Sequence, residues 1–148
     1  MKKILWILAA VGACLVAAAV LSADQAGEKA GEEAARKAAQ EAAKSWLGVV
    51  DSGRYAESWT QASALFRRQV STEQWESSAR SARGSLGKLL ARDFKSAQYS
   101  RTLPGAPDGE YVVLQYDASF ENKKQAIETV VEMKEKDGAW RVAGYFIR

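Results

Sequence analysis

Six aromatic residues, Tyr55, Trp59, Trp75, Tyr116, Phe120 and Trp140, fall at helix or strand spacing and together could line a pocket for a small apolar ligand. Rings at that spacing would equally well fill a core. Two charged sets offer other chemistry. Asp117 and Glu128 face each other across a predicted hairpin, where paired carboxylates repel, so that one would keep its proton or both would share a cation. Arg148 could neutralise them instead. Arg67, Arg68, Arg80, Arg83, Lys88 and Arg92 could gather as an anion patch for acidic lipid, cell-wall polymer or a protein partner, although Glu73, Glu76 and Asp93 are interspersed. The Pro104-Gly105-Ala106-Pro107-Asp108-Gly109 segment is no phosphate cradle. It joins two strands and lacks the lysine and helix N-terminus that such a loop needs.

Composition narrows the chemistry further. The chain has 148 residues, enough for one core, and no histidine, so the commonest general base and neutral metal ligand are missing. Its one cysteine, Cys14, sits in an apolar N-terminal run, which excludes disulfides and thiolate-held zinc, haem or iron–sulfur groups from the folded part; no cofactor is expected. The 21 Lys and Arg against 18 Asp and Glu give +3, and loss of Lys2 and Lys3 with a leader would leave about +1. That is too weak a charge for a general nucleic-acid binder.

The leader is suggested by Lys2 and Lys3, an apolar run over residues 4–21, and small and polar residues from Ser22 to Ala26. This is the layout of a secretory signal, with cleavage expected after Ala23 and a mature protein that is periplasmic or secreted. Two alternatives remain open. The run reaches the minimum length for an uncleaved membrane anchor through residues 4–21, and Val11-Gly12-Ala13-Cys14 loosely resembles a lipobox. The residues after Cys14 are apolar, however, where a lipoprotein tether is normally polar.

These side chains must be positioned by an α+β domain: three N-terminal helices followed by a four-stranded antiparallel sheet. Ala35, Ala39, Ala42, Trp46 and Val50 recur at three- and four-residue steps and predict a long helix, Ala-rich at first and ended by Asp51-Ser52-Gly53. Tyr55, Trp59, Ala62 and Phe66 predict a second, shorter helix. Ser71-Thr72-Glu73-Gln74 is a capping box opening a third, with Trp75, Ala79, Ala82, Leu86, Leu89 and Leu90 on its stripe. The organisation expected is a signal over residues 1–23, a helical lead-in over 24–41 and the domain over 42–148.

Alternation then predicts strands over residues 92–102, 110–120, 125–135 and 139–147. With Asp137-Gly138 and Asn122-Lys123 as two-residue turns, Val112, Leu114, Tyr116, Ala118, Ile127, Thr129, Val131, Met133, Val142 and Gly144 share the inner face. That face carries no carboxylate. Tyr111, Val113, Val130, Tyr145 and Ile147 then fall on the outer face, an apolar patch expected to be covered by the chain end or by a second subunit in a homodimer.

Trp46, Val50-Asp51-Ser52-Gly53, Ser58-Trp59, Phe66-Arg67, Gln74-Trp75, Leu103-Pro104-Gly105, Phe120-Glu121-Asn122-Lys123, Glu128-Thr129-Val130, Trp140-Arg141-Val142 and Gly144-Tyr145 together resemble the domain-of-unknown-function 4019 family of bacterial exported proteins, from about Ala42 to Arg148. The resemblance implies a cone of helices packed into a curved sheet, of the nuclear-transport-factor-2 and cystatin-like kind, and implies export. It implies no catalytic motif. The expected function is a noncatalytic envelope module binding a small apolar ligand or a protein partner. The alternative is a cone-fold enzyme with an Asp or Glu base and a Tyr donor, which would need a carboxylate on the inner face.

Overall fold

The computed structural model describes the backbone of residues 8–148 and the side chains of residues 24–148. The expected signal over residues 1–23, its alternatives and Cys14 therefore lie outside the described side chains. Among the described residues no helix is long and apolar enough to cross a membrane.

Four helices precede the sheet: α1 (Leu8–Asp51), α2 (Tyr55–Gln61), α3 (Ala64–Gln69) and α4 (Thr72–Leu86). Met1–Ala34 and Ala35–Arg148 form separate compact units. In the first, the side chains of residues 24–31 are exposed. In the second, Ala39, Ala43, Trp46, Leu47 and Val50 of α1 are buried, with Ala43 rather than Ala42 completing the stripe. Burying a residue such as Leu47 or Val50 is worth roughly 1.5–3 kcal/mol, and with the larger Trp46 these supply what the small alanines cannot. Gly53 ends the helix at φ 73°, its N–H donating to the Val50 carbonyl at 2.9 Å.

The predicted second helix is broken in two. Ala62 and Ser63 are extended, the Ser63 N–H donates to the Val142 carbonyl at 2.9 Å, and the Ser63 hydroxyl caps α3 by accepting from Phe66 N. An internal serine serves here as a second N-cap. The Ser71–Gln74 capping box forms as expected. α4 stops at Leu86 because Gly87 turns the chain at φ 77°, so Leu89 and Leu90 open the first strand instead of extending the helix.

The sheet is a meander, β1 (Leu89–Ser100), β2 (Tyr111–Phe120), β3 (Ala126–Lys134) and β4 (Trp140–Ile147), in sequential antiparallel order. Its register differs from the predicted one by a single residue at the β2–β3 turn. Phe120 and Lys123 exchange backbone hydrogen bonds at 2.8 and 3.3 Å around Glu121 and Asn122, and one extra residue on the β3 side before Ala126 leaves Ala118 paired with Ala126 instead of Ile127. One residue of slip turns every β3 side chain over. Glu128, Val130 and Glu132 therefore face the helices, while Ile127, Thr129, Val131 and Met133 lie half-buried on the far side.

The β3–β4 turn is also one residue longer than predicted. Glu135 and Ala139 close it around Lys136, Asp137 and Gly138, which sits at φ 81°. Met133 thus pairs with Arg141 rather than Val142, and an irregularity after Val131 restores the expected Val131–Gly144 and Thr129–Phe146 pairs, both on the outer face. Val142, Tyr145 and Ile147 share the inner face with β3's buried residues.

The predicted outer patch is dissolved by the same slip. Val130 is 0% exposed within the core, and Tyr145 and Ile147 pack on the inner side. Tyr111 stays outward but is covered by its own loop, its hydroxyl donating to the Pro107 carbonyl at 2.6 Å.

Candidate functional site

The inner face carries the two carboxylates that the predicted register left out, and they meet opposite fates. Glu128, on β3 opposite Tyr116, is 0% exposed. It accepts from Arg92 Nε at 2.5 Å and Nη2 at 3.1 Å and from the Tyr145 hydroxyl at 2.5 Å, with Arg83 Nη1 3.7 Å away. Arg92 reaches on to Asp51 at 2.7 and 3.0 Å, and Arg83 Nη2 donates to the same carboxylate at 2.7 Å. Arg83 also lies 5.1 Å over the Phe120 ring. Two guanidiniums and two carboxylates from α1, α4, β1 and β3 thus form a closed, charge-balanced cluster, the arrangement in which buried ions are tolerated.

The electrostatics follow from that closure. Burial works against ionisation of Asp51, but hydrogen bonds and charge from Arg92 and Arg83 outweigh it and leave its carboxyl below the usual range. Burial also opposes the charge on Arg92, and Asp51 and Glu128 more than compensate, raising its pKa. The Tyr145 phenol is raised by burial first and then by the Glu128 charge.

Glu132 has no such company. Its carboxyl is 0% exposed, neither oxygen has a hydrogen-bond partner, and burial pushes its pKa up to about 8. Tyr116, on the same face, is 6% exposed with an unpartnered hydroxyl; burial lifts its pKa to about 12.

The aromatic candidates are mostly committed to packing. The Trp75 indole donates to Ser58 Oγ at 2.9 Å and stacks edge-on with Phe66 and Tyr145, while the Trp59 indole donates to the Val70 carbonyl at 2.8 Å. Tyr55 is buried beneath Arg80, whose guanidinium lies 5.7 Å over the ring. Phe120 belongs to a small cluster with Ala118 and Ala126, and Trp140 is half-buried against the main core. Tyr116 alone of the six keeps a fully buried polar atom without a partner among the described residues.

Asp117 does not face Glu128. It stands opposite Asp93 on β1 and Ile127 on β3, at the surface, with Lys95 Nζ 3.0 Å away. Of the six basic residues, Arg67 lies 6.0 Å over Trp59 and Arg68 follows it on α3, whereas Arg80, Arg83 and Lys88 line one cleft of about 780 Å³ with Asp51, Tyr55 and Glu121. Arg83 forms its inner wall. Arg80 is 70% exposed and no closer than 3.8 Å to Glu76, and Lys88 makes no side-chain ion pair among the described residues. Among those residues, no three carboxylates or thiols gather as metal ligands.

Arg83 was legible in the α4 pattern, since Trp75, Ala79 and Arg83 repeat every four residues and are the buried face of that helix. Glu128 and Glu132 had no such signal, because their facing depends on the turn. A family model described as "Protein of unknown function (DUF4019)" matches residues 42–145. No curated protein matches the chain.

Proposed function

The chain belongs to the DUF4019 family, and we propose that its folded part is a noncatalytic binding module of the bacterial envelope, exported by a signal cleaved near Ala23. Its helices and sheet are read as a cone of the nuclear-transport-factor-2 and cystatin-like kind. The ligand-facing surface is the cleft between the end of α1 and the α4–β1 turn, and it takes a small ligand or protein partner through an acidic group. The observation that carries this is the pair of exposed cations at a cleft lined by the buried Arg83: Arg80, held only by a 3.8 Å contact to Glu76 and by the Tyr55 ring, and Lys88, which makes no side-chain ion pair among the described residues. Arginine and lysine so placed offer several donors to a carboxylate or phosphate.

A second possibility, an enzyme with Glu132 as base and Tyr116 as donor, is favoured by those two unpartnered groups on the inner face. The sealed position of Glu132 weighs against it, because a base must reach the proton it takes. Copurification from native envelope separates the two. The intact chain retains a partner that is lost on joint Arg80→Ala and Lys88→Ala substitution. Retention unchanged by those substitutions would refute the cleft, and turnover abolished by Glu132→Gln would establish the enzyme.

A further inference from the structure

Glu132 is the least reconciled group in the domain. It lies on the inner face between Val112 of β2 and Val142 of β4, both almost fully buried in the cluster that also holds Ala39, Ala43 and Leu114. The titratable groups around it do not help. Tyr116 on β2 has an unpartnered hydroxyl, Tyr99 on β1 is bonded to Glu110, and Glu128 on the same strand is occupied by Arg92 and Tyr145. The charged residues on this part of α1 are Arg36, Lys37, Glu41 and Lys44, and none of them hydrogen-bonds the Glu132 carboxyl.

A neutral carboxyl in that setting costs an unmade hydrogen bond or two. An ionised one would place an uncompensated charge in the core, which a fold avoids by keeping the proton or by opening to admit water. We propose that Glu132 is a proton-dependent lock: the helices close fully on the sheet only while this carboxyl is neutral, and ionising it loosens the domain from within.

The sign follows from proton uptake. The unfolded chain releases this proton near pH 4.5, whereas burial holds it in the fold to about pH 8. Between those values the native state binds a proton that the unfolded state lacks, so stability falls as pH rises and levels off above the upper value. The contribution of Glu132 to stability is therefore fully present below about pH 4.5 and lost by about pH 8.

Urea unfolding of the intact chain at pH 6 and pH 9, set beside Glu132→Gln, isolates the contribution. From pH 6 to 9 the wild-type folding constant falls about 90-fold more than that of the variant, as the two proton affinities require. Backbone hydrogen exchange, corrected for its intrinsic pH dependence, accelerates in α1 and β3 of the wild type but not of the variant. Parallel pH profiles for the two proteins would overturn the lock. Should Glu132→Gln fail to fold, carbon-13 titration of the wild-type carboxyl decides: a midpoint near 8 supports the lock, and one near 4.5 overturns it.

Discussion

Arg92→Met tests whether the ion cluster is one unit. Arg92 has a side chain 14% exposed and makes four hydrogen bonds, two to Glu128 and two to Asp51. Its loss leaves two carboxylates with one guanidinium, and Arg83 reaches Glu128 only at 3.7 Å. Stranding a buried charge in this way costs about 3–5 kcal/mol, a large part of the 5–15 kcal/mol that holds a typical domain together. The double variant Arg92→Met with Glu128→Leu removes the stranded acid and leaves the Arg83–Asp51 pair at 2.7 Å intact. Urea unfolding at pH 7 is expected to show the double variant costing at least 2 kcal/mol less than the sum of the two single changes, roughly the coupling seen for charges in one network. Strictly additive losses, or an Arg92→Met cost below about 1 kcal/mol, would refute the charge-balance account.

Tyr116→Phe removes a buried hydroxyl that bonds to nothing, so thermal unfolding should show a gain of about 1 kcal/mol; a loss would mean that water or a ligand occupies the hydroxyl. Gly87→Ala should cost about 2–3 kcal/mol in urea unfolding, because φ 77° with ψ −162° suits only glycine and a Cβ there would lie 2.7 Å from Glu121 Oε2.

Helices were legible where spacing and caps agreed. Gln74 three residues after Ser71, and Gly53 after the Val50 turn, each state a local backbone requirement that no distant contact alters. The order of strands was legible for the same reason. Facing was not, because moving a two-residue turn from Asn122-Lys123 to Glu121-Asn122 shifts the register by two and keeps the same face, whereas the one extra residue between Lys123 and Ala126 turns the strand over, and β3 reads Ile-Glu-Thr-Val-Val-Glu-Met. Either parity of that strand shows apolar residues, and the acidic one gains from Arg83 and Arg92, which lie 45 and 36 positions away from Glu128. Burial of Glu128 is thus decided by tertiary pairing that strand periodicity does not contain. Glu132 follows on the same face without any pairing of its own.

The ion cluster also has a kinetic consequence. Its members, Asp51, Arg83, Arg92, Glu128 and Tyr145, come from the end of α1, α4, β1, β3 and β4, so the cluster is complete only when the last strand has docked. A half-built cluster holds desolvated charge without its counterpart, which makes it a poor nucleus. Its stabilisation is then gained after the folding barrier and withheld from the folding rate, slowing escape from the native state instead. A protein built this way is guarded mainly by how long it stays folded, which suits a setting where each opening risks proteolysis.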